Sequence, residues 1–148
     1  MKIKTTRDTL SNCYFDALKI RNKVFVKEQH IAYSLEMSSA LQEAKSIHFV
    51  LYDEKEKACA TCRLLTEEDL KIVTLQRMAV LVEERGKKYA SQLLSSVIQF
   101  SKEQNIQKIL LHSQLKAINF YKKFNFQEEG EIFEEAEISH LSMTLNLN

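Results

Sequence analysis

Apolar side chains change their spacing several times along the chain, and each change marks a new structural element. KIKTT, at the start, reads as a short strand. From Asn12 to about Gln29 the residues Tyr14, Ala17, Leu18 and Phe25 recur at helical spacing, which predicts a helix with Ser11 as its N-cap. Residues 30–45 show no clear period and read as a loop with a short helix. IHFVLY, residues 47–52, is a nearly continuous apolar run, as expected of a strand buried on both faces. DEKEK turns the chain and ACATCRLL returns as its hairpin partner. A third long strand is predicted from about Lys71 to Val82. From Gly86 to about Glu103, Ala90, Leu93, Leu94, Val97 and Ile98 trace one helix face. KILLH, residues 108–112, reads as a short buried strand, and Ala117, Phe120, Tyr121 and Phe124 mark the next helix. In LSMTLNL the alternation is strict, with Leu141, Met143, Leu145 and Leu147 on one face. The order β-α-(α)-β-β-β-α-β-α-β-β, without repeat, linker or low-complexity segment, predicts a central mixed sheet with helices packed against it.

Composition narrows the functional classes. A chain of 148 residues is expected to form one domain with a real core. Its 45% apolar and 28% charged residues are ordinary for a globular protein. A net charge of +1 gives no global argument for nucleic acid or an anionic membrane as partner. No apolar run approaches the ~20 residues that span a bilayer, and the N-terminus lacks the apolar segment of a signal peptide. The expectation is a cytoplasmic chain with no nucleic-acid or membrane partner. Three cysteines, an odd number without a secretion signal, argue against a disulfide framework. Cys59 and Cys62 form a C-x-x-C, but a zinc or redox site needs a second ligand pair or a helix start after a strand. CATCRLL reads as a strand, with the two cysteines expected on opposite faces and no metal expected.

The chemistry concentrates in RGKKYA, residues 85–90. The chain has only two glycines and no proline, yet Gly86 falls between Arg85 and the pair Lys87 and Lys88, just ahead of a long helical pattern. A helix start leaves its first N–H groups unpaired, and the macrodipole makes them an anion site. Glycine permits close approach, and arginine grips a phosphate with two hydrogen bonds. These residues make a cradle suited to a diphosphate. The spacing is neither a Walker loop nor a dinucleotide-binding fingerprint. A solvated basic helix start is the alternative reading of the same residues.

Four stretches carry a family resemblance: IRNKVFVKEQ, MAVLVEERGKKYASQLL, LLHSQLKAINFYKKFNF and GEIFEEAEISHLSM, which together run from Arg21 to Met143. They resemble the GNAT N-acetyltransferase family, in which a strand is followed by R/Q-x-x-G-x-G/A and a helix. The first and last resemble a subgroup with R-x-x-V-F-x-x-E-Q in its first helix and a G-E-x-F-x-E-A-G-I-x-H-x-x-M ending. Lys88, Asn125 and Glu137 stand where those patterns have glycine. The resemblance implies an α/β (α+β) fold in which residues 1–148 form a single acetyltransferase-like domain, its mixed twisted sheet having about six to seven strands flanked by helices.

It also implies an acyl-CoA N-acyltransferase that moves an acetyl group from acetyl-CoA to a primary amine, on a small molecule or a peptide, with a homodimer left open. By the resemblance, backbone groups of Met78, Ala79 and Val80 pair with pantetheine and polarise the thioester carbonyl. Arg85, Gly86, Lys87, Lys88, Tyr89, Ala90 and Ser91 hold the pyrophosphate, and Gln114 contacts the cofactor. Tyr121 matches the acid for the departing thiolate, while Phe25 and Glu28 fall on the acceptor side. Glu28, His112, Glu135 and His140 are candidates for the base, and His140, aligned with the subgroup's own histidine, ranks first. The acidic run Glu128, Glu129, Glu131, Glu134, Glu135 and Glu137 reads equally as an attractor for a cationic amine or as a solvated hairpin. The competing readings are a CoA-binding module with weak or no turnover and a partner-binding domain that has lost the site.

Overall fold

A computed structural model describes residues 1–37 and 39–147 of the chain. Seven strands form one sheet in the order β1-β2-β3-β4-β5-β7-β6. They are β1 (Lys2–Thr6), β2 (Ser46–Tyr52), β3 (Ala58–Thr66), β4 (Ile72–Val80), β5 (Lys108–Gln114), β6 (Gln127–Glu135) and β7 (Ile138–Asn146). The β4–β5 pair is parallel and the other neighbours are antiparallel, so the sheet is mixed, as the sequence predicts.

The helices are α1 (Asn12–Arg21), α2 (Tyr33–Glu36), α3 (Ala40–Lys45), α4 (Tyr89–Glu103) and α5 (Ile118–Lys122). Ser11 caps α1 as expected, its hydroxyl accepting from the Tyr14 N–H at 3.2 Å. The expected regular helix to Gln29 stops early: from Asn22 to Glu28 the chain winds as a π-helix, with the Gln29 N–H reaching the Val24 carbonyl at 3.0 Å. Such wide turns gather at functional sites, and this one carries Glu28 and Gln29. The region read as a loop with one short helix holds two, α2 and α3.

Alternation divides the sheet between two cores. Ile47, Phe49 and Leu51 of β2 pack under Leu93, Leu94 and Val97 of α4, and the other face of β2, through Val50 and Tyr52, packs under Ala17 and Ile20 of α1. Cys59 and Cys62 both join the first core, against the expectation of opposite faces. The register between β2 and β3 shifts at Leu51 and Tyr52, and that bulge inserts a residue that breaks the alternation. All three cysteines are free.

A buried ionic network fastens the first helices to the sheet. Arg21 of α1 reaches Glu36 of α2 at 2.6 Å and Glu43 of α3 at 2.8 Å. Glu43 also pairs with Arg63 of β3 and accepts from the Tyr14 hydroxyl at 2.7 Å. Burial opposes ionisation of Glu43, but the hydrogen bonds and charge of Arg21 outweigh it and lower its pKa to about 2. The carboxylate is therefore charged throughout the neutral range.

Candidate active site

The parallel pairing of β4 with β5 ends at Leu75 and Leu111, while β4 runs on to Val80 and β5 to Gln114. The two strands part at this point and leave a cleft. On the far side of β4 the register with β3 shifts between Thr61 and Arg63, and Arg77 takes a left-handed conformation there with φ 59°. This bulge turns the end of β4 away from β5. The Leu81 N–H donates to the Cys59 carbonyl at 3.0 Å, so Ala60 and Val80 face each other without exchanging hydrogen bonds. The polar backbone groups of Val80 therefore point to the cleft edge, where an extended ligand has a strand to pair with.

From this edge the chain passes through a single turn, Val82–Glu84, into RGKK and α4. Gly86 has φ +83° and no atom within 4 Å of the place a Cβ would fill. Its glycine thus answers to the backbone angle, with open space beside it. No side chain among the described residues caps α4, so the amides of its first turn are unclaimed by those side chains. The cations behave differently from one another. Lys87 is held by Glu84 at 2.8 Å, and Glu84 also holds Lys57 at 2.8 Å. Those two hydrogen bonds lower the Glu84 pKa to about 2. Arg85 places its fork on Glu28, with both nitrogens at 2.7 Å, and its Nε on the Val80 carbonyl at 3.1 Å. Lys88 is the cation of the loop with no ion pair among the described residues.

A groove of about 480 Å³ opens beside the Arg85–Glu28 pair, lined by Glu28, Gln29, Gln114, Leu115, Lys116, Ile138 and Ser139. The structure brings Glu28 and Gln114 together here, and the Gln114 amide donates to Gln29 at 2.9 Å. Phe25 is packed in the core beneath α1 and does not line the groove. Gln29 adjoins a motif residue that sequence reading singled out, Glu28, which was the available signal for it.

The candidate acid and bases are separated by their contacts. Tyr121 is 7% exposed, edge-on to Phe120 and Phe126, and its hydroxyl has no hydrogen-bond partner among the described residues. Burial, with a smaller contribution from Cys62, holds its pKa well above the usual phenol value, and the proton stays on at neutral pH. Glu28 is a poor base, because the Arg85 hydrogen bonds lower its pKa. His112 is exposed and bound through Nδ1 to Glu135 at 2.9 Å. His140 is buried, and its Nδ1 lies 2.6 Å from the Ile138 carbonyl. A carbonyl only accepts, so Nδ1 carries a hydrogen, and Nε2 lies 3.9 Å from Glu135. His140 also faces Gln114 in the β5–β7 register.

The sequence model of the acetyltransferase (GNAT) domain matches residues 13–147. The chain belongs to the GNAT acetyltransferase family. It is 29% identical to the protein YyaT of Bacillus subtilis over 135 residues, covering 90% of this chain and 88% of that one. The crystal structure of Escherichia coli ElaA superimposes with a TM-score of 0.84 at 25% identity, covering 97% of this chain and 99% of that one. An aminoglycoside 6'-N-acetyltransferase complexed with coenzyme A shares the fold at 12% identity, with a TM-score of 0.76 over 100% of this chain and 98% of that chain.

The three positions where this GNAT chain lacks an expected glycine share one conformation. Lys88 has φ 63°, Asn125 φ 72° and Glu137 φ 63°. A left-handed residue with a Cβ is strained by roughly 1–2 kcal/mol, less for asparagine. Glycine relieves that strain but costs about 0.5–1 kcal/mol in chain entropy. Lys88→Gly is accordingly expected to raise stability by about 0.5–1 kcal/mol and to bind coenzyme A at least as tightly. Chemical denaturation and calorimetry check both, and a severalfold weaker affinity would show the Lys88 ammonium to be a phosphate ligand.

Asp53, Cys59 and Glu84 bring ligand atoms within 4.8 Å of one another. Their chemistry is already assigned within the fold. Glu84 holds two lysines, and burial raises the Cys59 thiol to about 11, which keeps it protonated. No helix among the described residues is long and apolar enough to cross a membrane.

Proposed function

We infer that the protein is an acetyl-CoA-dependent N-acetyltransferase acting on a primary amine. The observation that carries this reading is the cleft where β4 and β5 part, with the Val80 backbone on one edge and the uncapped start of α4 at its end. These features fit the cofactor: an extended pantetheine pairs with Met78, Ala79 and Val80, and a pyrophosphate accepts from the amides of the Gly86–Ser91 segment. Gln114 stands at the cleft mouth, against Gln29. Arg85 supports the site indirectly, by joining the π-helix to the end of β4 through Glu28.

Acetyl-CoA supplies an activated acetyl thioester. Around it, His140 Nε2 takes a proton from the incoming ammonium, directly or through water, which makes the amine nucleophilic. Backbone N–H groups near Met78 and Ala79 stabilise the oxyanion. Tyr121 Oη gives its proton to the departing sulfur. The aminoglycoside enzyme of the same fold, complexed with coenzyme A, supports the cofactor assignment.

Thermal melts test the binding step on which the reading depends. A ligand held only by the native state adds about 2.7 kcal/mol at a hundred times its dissociation constant. Acetyl-CoA at saturation should raise Tm, and Arg85→Ala should show a smaller rise, because the loop loses its tie to Glu28. Absence of any shift at millimolar acetyl-CoA overturns the proposal.

A further inference from the structure

The buried network holds three guanidinium groups, those of Arg21, Arg63 and Arg77, against two carboxylates, Glu36 and Glu43. Two of the three arginines are saturated. Arg21 binds Glu36 and Glu43 through all its nitrogens, and Arg63 divides its fork between Glu43 and the Gln76 side chain. Arg77 is different. Its Nε meets Glu36 at 3.2 Å and its Nη2 meets the Glu36 and Leu35 carbonyls at 3.1 and 3.5 Å. Its Nη1 meets no acceptor among the described residues. The side chain is 22% exposed, against 1% and 2% for the other two arginines.

The charge excess is felt inside the network. Burial and then the charge of Arg77 push the Arg63 pKa down to about 10. A further carboxylate whose field reaches Arg77 is Glu135, which is half-exposed and bound to His112. The backbone of Arg77 is left-handed, at the bulge that directs β4 into the cleft, next to Met78. A bulky residue keeps such strain where the site depends on the geometry.

The geometry points to Arg77 as a recognition residue for a carboxylate on the acceptor, which makes the acceptor an amino-acid-like amine. One open nitrogen and one unit of excess charge match a singly charged carboxylate better than a phosphate. Glu135, which contacts His112 at 2.9 Å and lies 3.9 Å from His140, offers the complementary charge for the acceptor's ammonium. A zwitterion placed between Arg77 and Glu135 has its amine beside the proposed base and next to the β4 edge. This rests on the N-acetyltransfer reading and specifies its substrate class.

The test compares the twenty L-amino acids with their carboxamides, by thermal shift and calorimetry on the full chain with and without coenzyme A. At least one acid should bind, and its carboxamide should bind about tenfold more weakly or worse, as a lost charged hydrogen bond requires. Arg77→Gln should erase that preference, and Arg77→Lys, which keeps the charge and protects against loss of fold, should retain part of it. Equal binding of acids and carboxamides, no binding of any acid, or an unchanged preference in a folded Arg77→Gln protein would each overturn the proposal. Thiol release from acetyl-CoA, read in parallel, separates the two readings. Carboxamides acetylated as fast as acids leave the transfer reading intact and remove Arg77 from it. Acid-selective binding that depends on Arg77, without acetylation of any amine, does the reverse.

Discussion

Tyr121→Phe is expected to lower kcat by about 10²–10⁴-fold, the usual contribution of a general acid, while leaving acetyl-CoA affinity nearly unchanged. The ring contacts with Phe120 and Phe126 survive the substitution, and the hydroxyl that is lost makes no hydrogen bond within the described protein. Stability should therefore hold. Because burial keeps the phenol protonated, the wild-type rate should show no loss from deprotonation of Tyr121 as pH rises through neutrality. Steady-state kinetics and calorimetry on the same preparation decide the matter. Acetylation at the parent rate would make Tyr121 a packing residue only.

The second large effect is on stability. Glu43→Ala should destabilise the fold by about 3–5 kcal/mol, the cost of breaking a buried pair and leaving charge uncompensated. Here it removes the carboxylate shared by Arg21 and Arg63, leaving Arg21 with Glu36 alone and Arg63 with only the neutral Gln76 side chain, and it removes the acceptor of the Tyr14 hydroxyl. For a chain of this length that corresponds to a fall in Tm of roughly 6–20 °C. A thermal melt reads it directly, and a fall of a degree or two would show that the network contributes little. Glu43→Gln, which keeps the shape and some hydrogen bonds, should fall between the two.

Elements with a strict period were legible in the sequence, since burial of one face imposes that period. The strands at residues 47–52 and 108–112 and the face Leu93, Leu94, Val97 appear in the structure where the pattern places them. The π-helix was not legible, because Val24 and Phe25 remain inward whether the turn closes on four residues or five. Nor was the ionic network, whose arginines and glutamates lie on five different elements and meet only in the folded chain. The loop RGKKYA could be read because helix-start chemistry is local. The Arg85–Glu28 pair, 57 residues apart in sequence, and the Gln114–Gln29 contact, 85 apart, could not. Arg77 escaped notice for a related reason: nothing about an arginine within a strand signals a left-handed backbone. Lys88 and Glu137 are left-handed as well, and there the glycine of the family patterns was the signal.

Transfer of acetyl from the thioester to an amine is followed by incubating the protein with isotopically labelled acetyl-CoA and a mixture of primary amines. Coenzyme A thiol should be released only when amine is present, with one labelled acetyl group gained by an amine for each thiol. Tyr121→Phe should slow both together. Bound acetyl-CoA with no labelled amine, or thiol released equally without any amine, would contradict the transfer.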